Sequence, residues 1–206
     1  MSPALNTLLA VVAAYLVGSV PFAIISSRLF GLADPRSYGS GNPGATNVLR
    51  SGNKAAAIFT LIGDMLKGWL AVFLAQEFGT AYGLGSGAVG LIALAVFFGH
   101  LFPIFLKFKG GKGVATAAGV LLAIDPTLGL ATLGTWIAVA FTLRYSSLAA
   151  LVAAASAPLY AFFFWGGNIL VAPVAIIAMA LIVKHWANLQ RLMAGTEPKI
   201  GAKKKA

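Results

Sequence analysis

Uncharged apolar stretches of bilayer length alternate along the chain with short polar segments. No charged side chain precedes Arg28, and none lies between Glu77 and Lys107, between Asp125 and Arg144, or between Arg144 and Lys184. A bilayer span takes roughly 20 apolar residues, and several of these gaps are longer. The runs predict helical spans near 4–27, 55–76, 87–106, 113–124, 127–143, 147–165 and 169–190. The fourth run is short, reaching about 18 Å as helix against a hydrocarbon core of roughly 30 Å. The pattern therefore predicts an all-α polytopic membrane protein with about seven transmembrane helices, or five plus a re-entrant hairpin at 113–143. No internal repeat stands out. A single integral membrane domain is expected over 1–198, with a basic tail at 199–206.

Composition sharpens the class. Of the 206 residues 59% are hydrophobic and 10% charged, where a soluble domain carries about 25% charged. Too few polar residues remain to clothe a water-facing surface, which excludes a soluble enzyme and a disordered tail. The chain has no cysteine, which excludes a disulfide scaffold and a thioester intermediate. Met1-Ser2-Pro3 places no basic residue before the first apolar run, so a cleaved signal peptide is not expected.

The net charge of +10 does not point to nucleic acid, because the cations are sorted by connection. The stretches 28–54 and 107–112, Arg144, and the tail 184–206 hold every Lys and Arg except Lys67. The N-terminus and the connections near 77–86, 125–126 and 166–168 hold none. Basic residues stay on the cytoplasmic side, so the N-terminus is expected outside and the C-terminus inside.

Three polar segments share the basic face. Gly39-Ser40-Gly41-Asn42-Pro43-Gly44-Ala45-Thr46-Asn47 leads to Arg50. Its glycines and proline prevent a regular helix and let backbone N–H groups face a ligand. Ser40, Asn42, Thr46 and Asn47 add uncharged hydrogen-bonding groups, and Arg50 offers a fork for phosphate. Lys107-Phe108-Lys109-Gly110-Gly111-Lys112-Gly113 opens the short helix that carries Thr116. A glycine-rich turn feeding a helix N-terminus favours anions. It is not a Walker A loop, since Gly113 stands where Ser or Thr should follow the lysine. In Lys184–Leu192, His185, Asn188 and Arg191 form a polar stripe on an otherwise apolar last helix. Plainer readings exist for each: a turn, a head-group anchor and snorkelling cations.

Other features are weaker. Asp64 and Lys67, at i and i+3 within a span, most simply neutralise each other. His100 reads as a hydrogen-bonded core histidine. Tyr145-Ser146-Ser147 lies on the basic side, where Ser147 is a candidate pocket residue. Two histidines, no cysteine and five scattered acids show no metal site.

With these segments assembled, the chain resembles the bacterial membrane glycerol-3-phosphate acyltransferases that use acyl phosphate as donor. The likeness runs from Gly18-Ser19 to about Glu197 and rests on Gly39–Asn47 with Arg50, Lys109–Thr116, and His185-x-x-Asn188-x-x-Arg191-Leu192. The resemblance implies transfer of a fatty acyl chain from acyl phosphate to glycerol 3-phosphate, giving lysophosphatidate and inorganic phosphate. It implies a bacterial inner-membrane enzyme with a cytoplasmic site, and no cofactor is expected. Its partners would be the two substrates, membrane lipids and, as a candidate, the enzyme that makes acyl phosphate; no nucleic acid is expected. The second segment would bind glycerol 3-phosphate. The candidate substrate-binding set is Ser40, Asn42, Gly44, Thr46, Asn47, Arg50, Lys107, Lys109, Gly110, Gly111, Lys112, Gly113, Thr116 and Arg191.

The chemistry suits such residues, because both substrates carry phosphate. The attacking hydroxyl needs a proton acceptor and the tetrahedral oxyanion needs donors. His185, Asn188 and Ser147 are the catalytic candidates, and a substrate phosphate oxygen is an alternative base. No Ser–His–acid spacing supports an acyl-serine, so direct transfer is expected. An anion transporter would need a polar path to both faces, while the outer connections offer only Glu77 and Asp125. The His-x4-Asp dyad of the soluble-type acyltransferases is missing, since Phe105 and Gln190 stand at that spacing from His100 and His185.

The asymmetry of basic residues predicts a topology. Reporters fused after Gly79 and Gly167 should lie outside, and those after Gly52 and Ala206 inside. An external C-terminal reporter would overturn this orientation.

Overall fold

The computed structural model describes residues 1–201, and Lys203, Lys204 and Lys205 of the basic tail lie outside the described residues. Among the described residues there is helix but no strand. Two compact units divide the chain, one from Met1 to Gly129 and the other from Leu130 onward.

The first unit begins with α1 (Pro3–Gly18), capped by Ser2, whose Oγ accepts from the Leu5 N–H at 3.3 Å. Pro21 interrupts the first apolar run, and α2 (Phe22–Leu29) follows. A polar loop leads to α3 (Ala45–Leu49), and α4 (Lys54–Phe78) starts where Asn53 Oδ1 accepts from the Ala56 N–H at 2.9 Å. α5 (Ser86–Leu101) and α6 (Val114–Ile124) complete the unit's main packing. α7 (Pro126–Leu143) runs out of it into the second unit.

Lipid offers apolar side chains no hydrophobic reason to associate, so bilayer helices pack where small residues let backbones close in. Gly99 of α5 lies against Gly18 and the Tyr15 carbonyl of α1, and Gly119 of α6 against the Met65 carbonyl of α4. The outward face of α4 shows Leu61, Ile62, Leu66, Leu70 and Leu74. Such a stripe would cause aggregation in water and suits hydrocarbon.

The second unit holds most of α7, then α8 (Ser146–Trp165), α9 (Val171–Lys184) and α10 (Trp186–Met193). Buried Ala149, Ala153, Ala157 and Ala161 repeat every four residues along α8. α8 packs on α9, whose buried face carries Val174, Ile177, Ala178 and Leu181.

Among the described residues five helical stretches are long and apolar enough to cross a membrane: Pro3–Leu29, Lys54–Tyr82, Ser86–Leu106, Pro126–Leu143 and Ser146–Trp165. α9 and α10 make a sixth if taken as one span. α6 is the short run expected from sequence, and its 11 residues reach only about 16 Å. The last run differs from expectation. It is not one straight helix over 169–190 but two, bent by 57° at His185. The three-residue spacing of His185, Asn188 and Arg191 therefore crosses a break: His185 caps α9, and the other two ride on α10.

Candidate active site

In the first unit the Gly39–Arg50 segment is organised around Asn47. Its side chain is buried, with Nδ2 donating to the Pro35 and Tyr38 carbonyls at 2.6 and 3.1 Å. Its Oδ1 accepts from the Ser40 N–H at 2.9 Å and, loosely, from Arg50 at 3.5 Å. Both amide hydrogens and the carbonyl oxygen are thus spent on the loop itself, making Asn47 a pin. Gly39 takes a left-handed backbone conformation with φ of 60°, and a side chain there would strike Asn47 Oδ1. The loop so held exposes Ser40, Thr46 and Arg50, with Asn42 and Gly44 half-buried.

The second segment folds back on the end of α5. The Gly110 N–H donates to the Leu101 carbonyl and the Gly111 N–H to the His100 carbonyl, both at 3.2 Å. These bonds satisfy carbonyls that a helix end would otherwise leave open. Lys107 and Phe108 both take left-handed backbone conformations, with φ of 52° and 61°. Such strain in non-glycine residues persists only where surrounding contacts impose it. Lys107 and Lys109 are exposed and Lys112 half-buried. Gly113 then starts α6, whose first helical bond is Ala117 N–H to Gly113 O at 2.7 Å. The N–H groups of Val114, Ala115 and Thr116 precede that bond, at the positive end of the helix. Thr116 does not join the loop surface. It is fully buried where α6 meets α4, against Gly68, and its hydroxyl has no hydrogen-bond partner.

The two segments meet. A Cβ added to Gly111 would lie 3.2 Å from the Pro43 carbonyl and would collide with His100 Nε2. Beneath them is a narrow cavity lined by Pro43, Gly110, Gly111, Asp64, Lys67 and His100, among others. Lys67 Nζ contacts Asp64 Oδ1 at 2.8 Å and donates to the Val20 carbonyl at 2.8 Å. His100 Nδ1 lies 3.4 Å from the same carboxylate oxygen. The neutralising pair expected within the span is present, with a third member that spacing along one helix could not reveal.

In the second unit a carboxylate that sequence reasoning did not single out is the hub. Glu197 Oε1 accepts from Ser147 Oγ and Asn188 Nδ2, each at 2.7 Å. Its Oε2 accepts from Arg191 Nε, also at 2.7 Å. Burial alone would push this carboxyl up. Donation by Ser147, Asn188 and Arg191, with the Arg191 charge, outweighs it and holds the pKa below the usual value. Ionised, Glu197 can only accept, and three donors surround it. One signal was available: Glu197 is the sole acidic residue after Asp125.

His185 is buried at the bend, with Nδ1 at 2.8 Å from the Leu181 carbonyl. A carbonyl can only accept, so Nδ1 is the donor in this contact.

The family model described as glycerol-3-phosphate acyltransferase matches residues 8–195. The chain belongs to the glycerol-3-phosphate acyltransferase family. A relative of that name from Dechloromonas aromatica (strain RCB) is 69% identical over 96% of this chain and 98% of its own length. Another, from Cupriavidus pinatubonensis (strain JMP 134 / LMG 1197), is 63% identical over the same shares. The fold is similar to crystal structures of PlsY (YgiH), an integral membrane glycerol 3-phosphate acyltransferase. Its glycerol 3-phosphate form matches with a TM-score of 0.87 at 37% identity, over 95% of this chain and 96% of that one. Its lysophosphatidic acid form matches at 0.85 and 36%, over 95% of both chains. The chain is thus an integral membrane acyltransferase, as the three sequence signatures implied.

The Asp64–Lys67 pair generates a stability test. Asp64→Ala leaves a buried ammonium without its partner, at about 3–5 kcal/mol. Replacing both, Asp64→Leu with Lys67→Met, should recover much of that loss in thermal unfolding in detergent. If the single variant unfolds at the wild-type temperature, the pair is not the desolvated unit described.

Proposed function

We propose that this chain transfers a fatty acyl group from acyl phosphate to glycerol 3-phosphate, releasing lysophosphatidic acid and inorganic phosphate. The observation that carries the reading is the Gly110–Gly113 turn. It folds against the Gly39–Asn47 loop, carries Lys112 just after Lys107 and Lys109, and delivers its chain to a helix N-terminus. Two phosphorylated substrates require such an anion-binding face, and the family name and the glycerol 3-phosphate form of the PlsY structure agree with it.

The residue roles follow. Lys107, Lys109, Lys112 and the Gly110, Gly111 and Gly113 backbone hold the phosphate of glycerol 3-phosphate. Ser40, Asn42, Gly44, Thr46 and Arg50 hold the phosphate of the donor. Asn47 fixes the first loop, and Thr116 seats α6 on α4. Glu197 gathers Ser147, Asn188 and Arg191 into one constellation. His185 Nε2 takes the hydroxyl proton as that oxygen attacks the acyl carbonyl carbon. N–H donors, Asn188 among them, stabilise the oxyanion until the C–O bond to phosphate breaks. Phosphate is a good leaving group from a mixed anhydride, so no acyl-enzyme is required. Residues 1–198 act as one catalytic domain in the bacterial inner membrane, with the basic segments on the cytoplasmic side. The donor comes from an enzyme that makes acyl phosphate.

Lys112→Ala tests the assignment. Loss of a charge-assisted hydrogen bond worth about 1.5–3 kcal/mol corresponds to a 10- to 150-fold fall in kcat/KM. It should appear mainly as a raised KM for glycerol 3-phosphate, whose phosphate does not react. An unchanged KM there beside a raised KM for the acyl donor would assign the loop to the other phosphate.

A further inference from the structure

The polypeptide after α10 doubles back over its own unit. Gly195 takes a left-handed turn with φ of 68°, and the Thr196 and Glu197 N–H groups both donate to the Arg191 carbonyl, at 2.8 and 3.2 Å. This delivers Glu197 to Ser147, Asn188 and Arg191. Three residues further on the strap meets the turn between α7 and α8. The Ile200 N–H donates to the Arg144 carbonyl at 2.6 Å, and the Arg144 guanidinium donates back to the Ile200 carbonyl at 3.0 Å. Lys199 Nζ lies 5.5 Å from the centre of the Tyr145 ring, within cation–π range. Arg144 itself sits at φ of 63°, a conformation glycine adopts without penalty. If only the turn mattered, glycine would serve better there than arginine.

We propose that Arg144 is a positioning residue. Its reciprocal bonds with Ile200 latch the 194–201 strap, and the latched strap holds the Glu197 carboxylate in register with Ser147 and Asn188. A carboxylate reached only through the Gly195 turn would have its strap anchored at one end. Arg144 anchors the other end and, through the adjoining Tyr145–Ser147 segment, ties it to the start of α8, which carries Ser147. The proposal rests on the reading of this constellation as part of the acyltransferase site.

Arg144→Gly keeps the left-handed turn and deletes the guanidinium. Ile200→Pro removes the N–H that donates to Arg144. In purified full-length protein each should lower kcat/KM for glycerol 3-phosphate about 3- to 10-fold, the scale of one exposed hydrogen bond between partly solvated groups. The KM for acyl phosphate should not move. The double variant should lose no more than the worse single one, because both cut the same latch. Arg144→Lys, which keeps a donor, should recover part of the loss. A second readout does not depend on turnover: the Thr196, Glu197 and Ile200 amides should exchange faster with solvent in Arg144→Gly. Failure of the wild-type protein to use these substrates would defeat the functional reading, and the exchange measurement would still decide the latch. Wild-type exchange rates in Arg144→Gly, or losses that multiply in the double variant, would overturn the latch.

Discussion

A carboxylate withdrawn from water keeps its charge only where donors replace the hydration it has lost. The second unit is arranged around one such group. Glu197 arrives on a strap outside the helices and binds Ser147 from the start of α8 and Asn188 and Arg191 from α10. Ser147 lies far from Asn188 and Arg191 in sequence and on a different helix, and a single acceptor gives the three a common position. Each alone would be costly near the apolar region. Together they satisfy one another, and the same bonds fix their directions.

The first unit meets the same constraint differently. Asp64 and Lys67 are paired inside a span and joined by His100, beneath two loops that are nearly free of acidic residues. Neutralisation below leaves the loop surface to its own cations. Glycine does the rest of the shaping: Gly111 lets the second loop press on His100 and Pro43, and Gly113 turns the chain into α6. A side chain at Gly111 would collide with His100 and press on the Pro43 carbonyl, separating the two segments.

The spans and the three signatures were legible because hydrocarbon length and glycine-rich turns leave direct marks in sequence. The bend at His185 was not. The apolar run at 169–190 reads as a single span, yet α9 ends at Lys184, where His185 Nδ1 meets the Leu181 carbonyl. Asn47 looked like a ligand-facing donor, yet its partners are the Pro35 and Tyr38 carbonyls and the Ser40 N–H. Thr116, a substrate-binding candidate by its place in the second segment, is buried where α6 meets α4. Pairing that depends on distant segments, as for His100 with Asp64 or Glu197 with Ser147, leaves no periodic trace. Only the isolation of Glu197 among acid-free sequence hinted at it.

The central claim is direct acyl transfer from acyl phosphate to glycerol 3-phosphate, and rapid-quench measurement at high enzyme concentration tests it most directly. With acyl phosphate alone, no burst of inorganic phosphate and no acylated protein should form. Adding glycerol 3-phosphate should release phosphate and lysophosphatidic acid in equal amounts. A burst of phosphate matching the enzyme concentration in the absence of glycerol 3-phosphate, with acyl groups left on the protein, would contradict the account.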